Sequence, residues 1–423
     1  MPNYKKTKRN RLEVFKKVRT IPMRSEPEKK EIEPNKKDGY ISSFKIVSGR
    51  KKKLKQMNLI TAAVIAALAL VLLLCSLFSP TGLVEGFRNY TAAVSLKSNF
   101  PSVISGSEIY NLDVKNRYFY SLTDTDFECY SKNGKKMFGF THKMSTPAFV
   151  TSQSRALLYD QNSTSVSVYT AYDKVYEFST EFSIYCADIA RNGSFAVATK
   201  SNNYTSAVVV YNKKAEKVYE WFCPDELVSA VALSKNGKKL AVASVKAENG
   251  HYRSFLRVFK FDSAEPVFTK EYSGTFIVSL YSQLNNSFAV VTKNDCDIIS
   301  WKNYKVVSNE TQNVIINVSG YGNKTVVCER MESDASSNII KVYNGKGKIT
   351  SEFQFNKNID DFKVYKRNIY ILSGNEILCL NLKGEILKGG ECAFATQKIV
   401  PVAKDSCISV SDYSFNISEL ISK

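Results

Sequence analysis

Histidine is almost missing from this 423-residue chain, which holds two, His142 and His251. Neither falls in H-E-x-x-H or any other metal-ligand spacing, and both read as loop or strand-end residues without special duty. G-x-S-x-G and G-x-x-x-x-G-K-[ST] are absent, so a serine nucleophile on an elbow and a phosphate cradle have no basis. The carboxylate pairs Asp124 and Asp126, Asp295 and Asp297, and Asp360 and Asp361 lack the D-x-[DN]-x-[DN]-G context of a calcium loop. They read as turn formers, because an Asp side chain bonds the backbone two residues on. No residue is therefore assigned a catalytic, cofactor or metal role, and no cofactor is expected.

Long apolar runs are also lacking, with one exception. Met57 to Phe78 (MNLITAAVIAALALVLLLCSLF) contains no charge and only Asn58, Thr61 and Ser76 as polar residues. At about 1.5 Å of rise per residue it would reach roughly 33 Å, enough to cross a hydrocarbon core of about 30 Å. Residues 56–79 are therefore expected to form a transmembrane signal-anchor helix. A cleaved signal peptide fits less well, because its lead would be shorter and its apolar stretch about 7 to 15 residues. Arg50, Lys51, Lys52, Lys53 and Lys55 crowd the N-terminal flank, whereas the other flank meets its first charge at Glu85. The positive side stays cytoplasmic, which places 1–55 inside and the remainder outside.

Residues 1–55 carry 19 Lys/Arg against 6 Asp/Glu, so +13 of the net +19 sits on this short tail. It is poor in apolar residues and expected to be disordered. Nucleic-acid binding is not expected. The basic residues, with Arg50, Lys51, Lys52, Lys53 and Lys55 nearest the membrane, are candidates for contact with anionic lipid, at about 1 kcal/mol for each cation held near the surface. A solvated tail that only sets orientation is the plainer alternative.

Nine cysteines include no C-x-x-C. Cys75 falls in the apolar run; Cys129, Cys186, Cys223, Cys296, Cys328, Cys379, Cys392 and Cys407 are scattered singly beyond it. An exported domain permits disulfides, but this spacing favours free thiols packed as small hydrophobes.

Beyond residue 108 the pattern is short runs of Val, Ile, Tyr, Phe and Thr broken by Asn, Gly, Lys and Ser, which reads as strands and tight turns. Hairpins recur: CYSKNGKKMFGF from Cys129, VYTAYDKVYEF from Val168, VYNKKAEKVYEW from Val210, VYNGKGKITSEF from Val342 and CLNLKGEILKG from Cys379. A second hairpin precedes each. VSAVALSKNGKKLAVASV from Val228 is the clearest, with Asn236-Gly237 expected to form a type I′ turn. Others begin near Ile109, Thr146, Ile184, Phe276, Val314, Ile359 and Gln397. Eight such units at a near-regular period predict an all-β fold, an eight-bladed β-propeller over 108–420, with seven blades as the alternative. Tyr169, Tyr211 and Tyr343 in the repeated hairpins are assigned to packing between blades. The last unit lacks an outermost strand, and TAAVSLKSNF (91–100), in a linker of 80–107, is expected to supply it.

The WD and Gly-His signatures of WD40 repeats are absent. The anchor, THKMSTPAFVTSQSRALLYD from Thr141 and ALSKNGKKLAVAS from Ala232 together resemble an uncharacterised family, a domain of unknown function, of single-pass, propeller-bearing envelope proteins of Gram-positive bacteria. More distantly the blades are similar to quinoprotein-type and WD40-like propellers, without the A-x-D-x-x-T-G-K-x-x-W pattern that goes with a quinone cofactor. The resemblance implies an outward-facing propeller on a signal anchor and no established activity. The expected role is a non-enzymatic module in the cell membrane that binds an envelope protein or wall polymer. Alternatives are a glycan- or peptide-processing enzyme with its site at the propeller axis, and a transmembrane sensor.

Overall fold

The computed structural model describes residues 59–70, 82–92, 98–115, 118–152, 154–282, 286–332, 336–412 and 414–422. Arg50, Lys51, Lys52, Lys53, Lys55 and the rest of the tail lie outside them, as do residues 71–79 of the expected anchor. Residues 59–70 are helical and exposed. Among the described residues, no helix is long and apolar enough to cross a membrane.

The larger of two compact units, Leu70–Lys423, holds eight antiparallel sheets built in chain order. They are blades 1 (109–141), 2 (147–179), 3 (184–223), 4 (227–273), 5 (279–307), 6 (314–355), 7 (361–391) and 8 (398–419). First strands of successive blades contact one another, those of blades 5 and 6 through Tyr281 Oη donating to the Gly320 carbonyl (3.3 Å), and that of blade 1 contacts that of blade 8, so these strands ring the axis. Eight sheets close the circle, and the seven-blade alternative falls away.

Burial follows from this packing. A blade's second strand is covered on both faces, and Ala156–Asp160, Phe195–Thr199 and Ser287–Val291 are buried at every residue. The outermost strands Lys174–Ser179 and Lys217–Cys223 alternate exposed with half-buried, one face lying on the next blade. Aromatic side chains fill that junction: Phe138 stacks on Tyr169 (centroids 5.7 Å), Trp221 meets Phe259 (4.8 Å) and Phe268 stacks on Tyr304 (5.9 Å). Tyr169 also stacks on Phe140, Tyr211 packs on Phe178, and Tyr343 is 1% exposed, so all three repeated tyrosines serve blade packing.

The clasp differs from expectation. Blade 8 takes its fourth strand from Ser102–Val103, paired with Phe415 and Ser414. Thr91 and Ala92 instead end the helix Leu83–Ala92, 98–100 form no strand, and 93–97 lie outside the described residues. The cause is a detour: Asn99 N–H bonds the Asn133 carbonyl (2.7 Å), and Ser102 Oγ bonds the Asn99 and Gly134 carbonyls (2.7 and 3.0 Å). The chain is held along a turn of blade 1 before it can pair. Past residue 420, Ile421–Ser422 adds a fifth strand to blade 7 against Ile386–Glu391.

The Asn-Gly turns also differ. Gly193 and Gly237 have positive φ (85° and 64°) whereas Asn192 and Asn236 do not. Gly193 N–H bonds the Ala190 carbonyl and Gly237 N–H that of Ser234, one residue earlier than a two-residue loop would allow. These are type I turns followed by a left-handed glycine. The type I′ geometry appears at Asn249-Gly250, where both residues have positive φ (51° and 78°).

All eight described cysteines are free, and only Cys186 and Cys392 are even half-exposed. Burial pushes the Cys186, Cys296 and Cys328 thiols up to about 12, which suppresses the reactive thiolate. Iodoacetamide at pH 8 should therefore modify them slowly in the native protein and quickly in urea. A reductant should leave the thermal midpoint where it is; a fall of several degrees would reveal a bridge.

Candidate interaction faces

Strand order fixes what each face presents. In blades 1 to 7 the connections between strands one and two and between three and four emerge together, as does the one between strands one and two of blade 8; this side is here called the turn face. The connections between strands two and three, and from each blade to the next, emerge opposite, on the loop face.

The loop face is acid-rich. Its connections carry Glu108, Asp124, Glu181, Asp225, Glu310 and Asp360 against Lys143, Lys200, Lys293 and Lys357. One hairpin stands out from it: strands Lys239–Glu248 and His251–Lys260 run ten residues each, past the ends of their sheet partners, and carry exposed His251 and Tyr252 at the tip. Its projecting end is braced. Arg253 grips Glu271 through Nε and Nη2 (2.7 and 2.9 Å) and reaches Glu248 through Nη1. At its base, buried Glu226 takes Arg257 Nη2 on Oε1 (2.8 Å) and also accepts from Ser244 Oγ. Burial pulls the Glu226 carboxyl up, yet the Arg257 and Ser244 bonds outweigh it and hold the group below its ordinary value. Beside this hairpin Ser229 Oγ bonds the Ile277 carbonyl (3.5 Å) and Ser254 Oγ that of Thr275 (2.9 Å). These bonds hold loop 274–278 in place. Leu227 (43% exposed), Phe276 (41%) and Val278 (60%) thereby face solvent beside this hairpin.

The turn face is basic. Asn212, Asn344 and Asn381 each accept on Oδ1 from the N–H groups two and four residues on, at 2.8 to 3.1 Å. These Asn-capped turns hold Lys213 and Lys214, Lys346 and Lys348, and Lys383 outward, and Lys235, Lys238, Lys302, Lys305, Lys366 and Arg367 are exposed in the turns between. The acids here, Asp173, Glu216, Asp262, Glu265, Glu385 and Asp405, are fewer.

The helix Leu83–Ala92 lies on the turn face at blades 2 and 3. Arg155, 5% exposed, meets both Glu85 oxygens (2.9 and 2.8 Å) and donates Nη1 to the Lys213 carbonyl (2.8 Å). Asn89 donates to the Ser154 carbonyl (3.3 Å) and accepts from Ala171 N–H (2.9 Å). Burial alone would lower the Arg155 guanidinium; Glu85 more than reverses this and raises it.

The axis carries polar links between blades. Asp188 accepts from Leu233 N–H (2.7 Å), Asp361 from Ile399 N–H (2.8 Å) and Ser319 from Val364 N–H (3.2 Å), while Asp113 accepts from Thr151 Oγ1. The carboxylates noted in the sequence hold structure as well. Asp124 bonds Ser107 Oγ (2.7 Å) and the N–H groups of Ser107 and Glu108, which hold its carboxyl down at about 2. Asp360 takes Gly374 N–H (2.7 Å), and Asp126 accepts from Thr141 Oγ1 (3.0 Å). Thr292 Oγ1 donates to Asp295 (3.0 Å), and buried Asp297 accepts from Tyr272 (2.6 Å) and Lys270. His142 is buried, its Nε2 3.1 Å from the Thr123 carbonyl; His251 is exposed. Among the described residues no His, Cys, Asp and Glu group could hold a metal ion.

A sequence profile described as a family of unknown function (DUF5711) matches residues 88–419. Among curated proteins none matches at a significant level. Similar solved structures include BamB from Moraxella catarrhalis, 9% identical, covering 77% of this chain and 100% of that one with a TM-score of 0.50. Another is Sqt1 from Saccharomyces cerevisiae, 11% identical, covering 78% and 100% with a TM-score of 0.55. At such identities they show the propeller fold alone.

Proposed function

The chain belongs to this family of unknown function, DUF5711, and we propose that it is a membrane-tethered scaffold that binds a protein partner through the loop face of its propeller. The single observation behind this is the exposed apolar side chains of Leu227, Phe276 and Val278 beside the braced hairpin, on the face opposite the helix Leu83–Ala92. Exposed apolar side chains rimmed by charge suit a protein interface. The acids nearest them, Asp225 and Glu226, are paired with Lys246 and Arg257, so the apolar side chains set the chemistry and favour a partner that offers an apolar surface of its own.

Residues 56–79 supply the tether, with Arg50, Lys51, Lys52, Lys53 and Lys55 on the cytoplasmic side and the propeller outside. Envelope proteins are the partner class this topology makes available. Its test is a photo-crosslinking residue at Phe276 on intact cells, followed by identification of the adduct. Leu227→Asp with Val278→Asp should cut the adduct at least tenfold with an unchanged thermal midpoint; equal yield would sink the loop-face site. External protease should digest everything beyond residue 80, and its protection would reverse the topology.

A further inference from the structure

A cavity of about 430 Å³ opens on the turn face under blade 7. Its wall includes Lys366, Arg367, Lys388 and Lys404, with Tyr321 and Leu387 beside them, and no carboxylate lines it. Among the described residues none of these four cations forms an ion pair. The neighbouring Tyr365 senses the same field. Burial raises its hydroxyl, but Lys132, bonded at 2.9 Å, and Lys366 overcome this and hold it below its ordinary value.

Position adds a second observation. The helix Leu83–Ala92 is gripped on this same face by Arg155 of blade 2 and the Lys213 carbonyl of blade 3. In a ring of eight, blade 7 stands across the axis from blade 3. The face therefore has the segment that follows the apolar run fixed at one rim and a cationic cavity at the opposite rim, with Lys-rich turns between.

We propose that the turn face docks on anionic phospholipid, and that the blade 7 cavity receives a headgroup phosphate. This rests on the membrane-tethered reading. A disc held at blades 2 and 3 and attracted at blade 7 lies flat on the bilayer, and its loop face then points away from the lipid. Arg and Lys suit the phosphate, Arg by its planar fork and Lys as a point charge. Each cation held at such a surface strengthens binding about fivefold. The attraction fades in 1 M salt, where the Debye length is about 3 Å.

The test uses the full chain in vesicles of phosphatidylcholine alone or with 30% phosphatidylglycerol. Flotation reports the tether, and acylation of Lys366, Lys388 and Lys404 by a water-soluble ester, scored by mass spectrometry, reports docking. Docking should slow acylation at those lysines at least threefold with phosphatidylglycerol only, reversibly in 1 M salt, and leave Lys143 and Lys200 unchanged. Lys366→Glu with Lys388→Glu should restore the phosphatidylcholine rate at Lys404. Flotation with both vesicles but equal acylation would overturn the docking and leave the tether standing. Failure to float on phosphatidylcholine would overturn the tether, and shielding on phosphatidylglycerol would still support the cavity. Equal shielding by soluble poly(glycerol phosphate) at matched phosphate would overturn the lipid assignment in favour of a wall polymer.

Discussion

Phe415→Ala should cost the propeller about 3–5 kcal/mol, measured as a lower urea midpoint at unchanged slope. Phe415 is 0% exposed in the third strand of blade 8, edge-on to Phe119 (5.2 Å) and Tyr130 (5.0 Å) of blade 1. Elsewhere in the ring a blade completes itself with a strand joined by a turn. At this seam the fourth strand is two residues from the far N-terminal side, Ser102 and Val103. So short a ladder adds little, and the join depends on the apolar cluster of Phe415, Phe119, Tyr130, Ile104 and Leu112. Removing the Phe415 ring leaves a void that the neighbouring blades cannot collapse into without moving. Phe415→Leu should cost markedly less. A loss under about 1 kcal/mol for the alanine variant would mean that the ring does not close through this residue.

Arg155→Ala should release the helix Leu83–Ala92. Breaking a buried ion pair by removing one partner costs about 3–5 kcal/mol, because the other charge is left without compensation. Here the side chains are 6% and 15% exposed, the contact is two-pronged, and the third nitrogen holds the Lys213 carbonyl. The lower figure is the better guide, since Glu85 regains water once the helix lifts. Hydrogen exchange over 83–92 should accelerate about 100-fold, as about 3 kcal/mol implies. Exchange in the middle strands of blades 4 to 6 should not change. Arg155→Lys should rescue little, because an ammonium cannot span both Glu85 oxygens and the carbonyl together. Slow exchange over 83–92 in Arg155→Ala would show that the helix is held by something else.

The eight hairpins were legible because each inner pair alternates buried residues with a strong turn signal, and their starts at Ile109, Ile184 and Val314 are strand starts in the structure. The repeated aromatics were legible for the same reason. The helix Leu83–Ala92 was not: it docks through Glu85 and Asn89, polar side chains four residues apart, while Phe87 on its apolar stripe is exposed, so the usual rule of apolar face inward points the wrong way. The clasp was placed close to its true position and missed the detour through Asn99, which depends on a turn far along the chain. The basic and acidic faces were invisible for a topological reason. Lysine-rich turns and acidic loops alternate along the chain, so their charges nearly cancel in any window. Only the parity of the connections sorts them to opposite sides.

Blade 8 receives residues 102–103 while residues 421–422 lie along blade 7, so the two distant stretches secure neighbouring sheets. During synthesis the polypeptide can stack seven sheets as an open arc, but the circle cannot shut until residues 414–422 have left the ribosome. A premature stop shortly before residue 414 should therefore give quality-control proteases a gapped crescent with bare edges rather than a slightly shorter wheel.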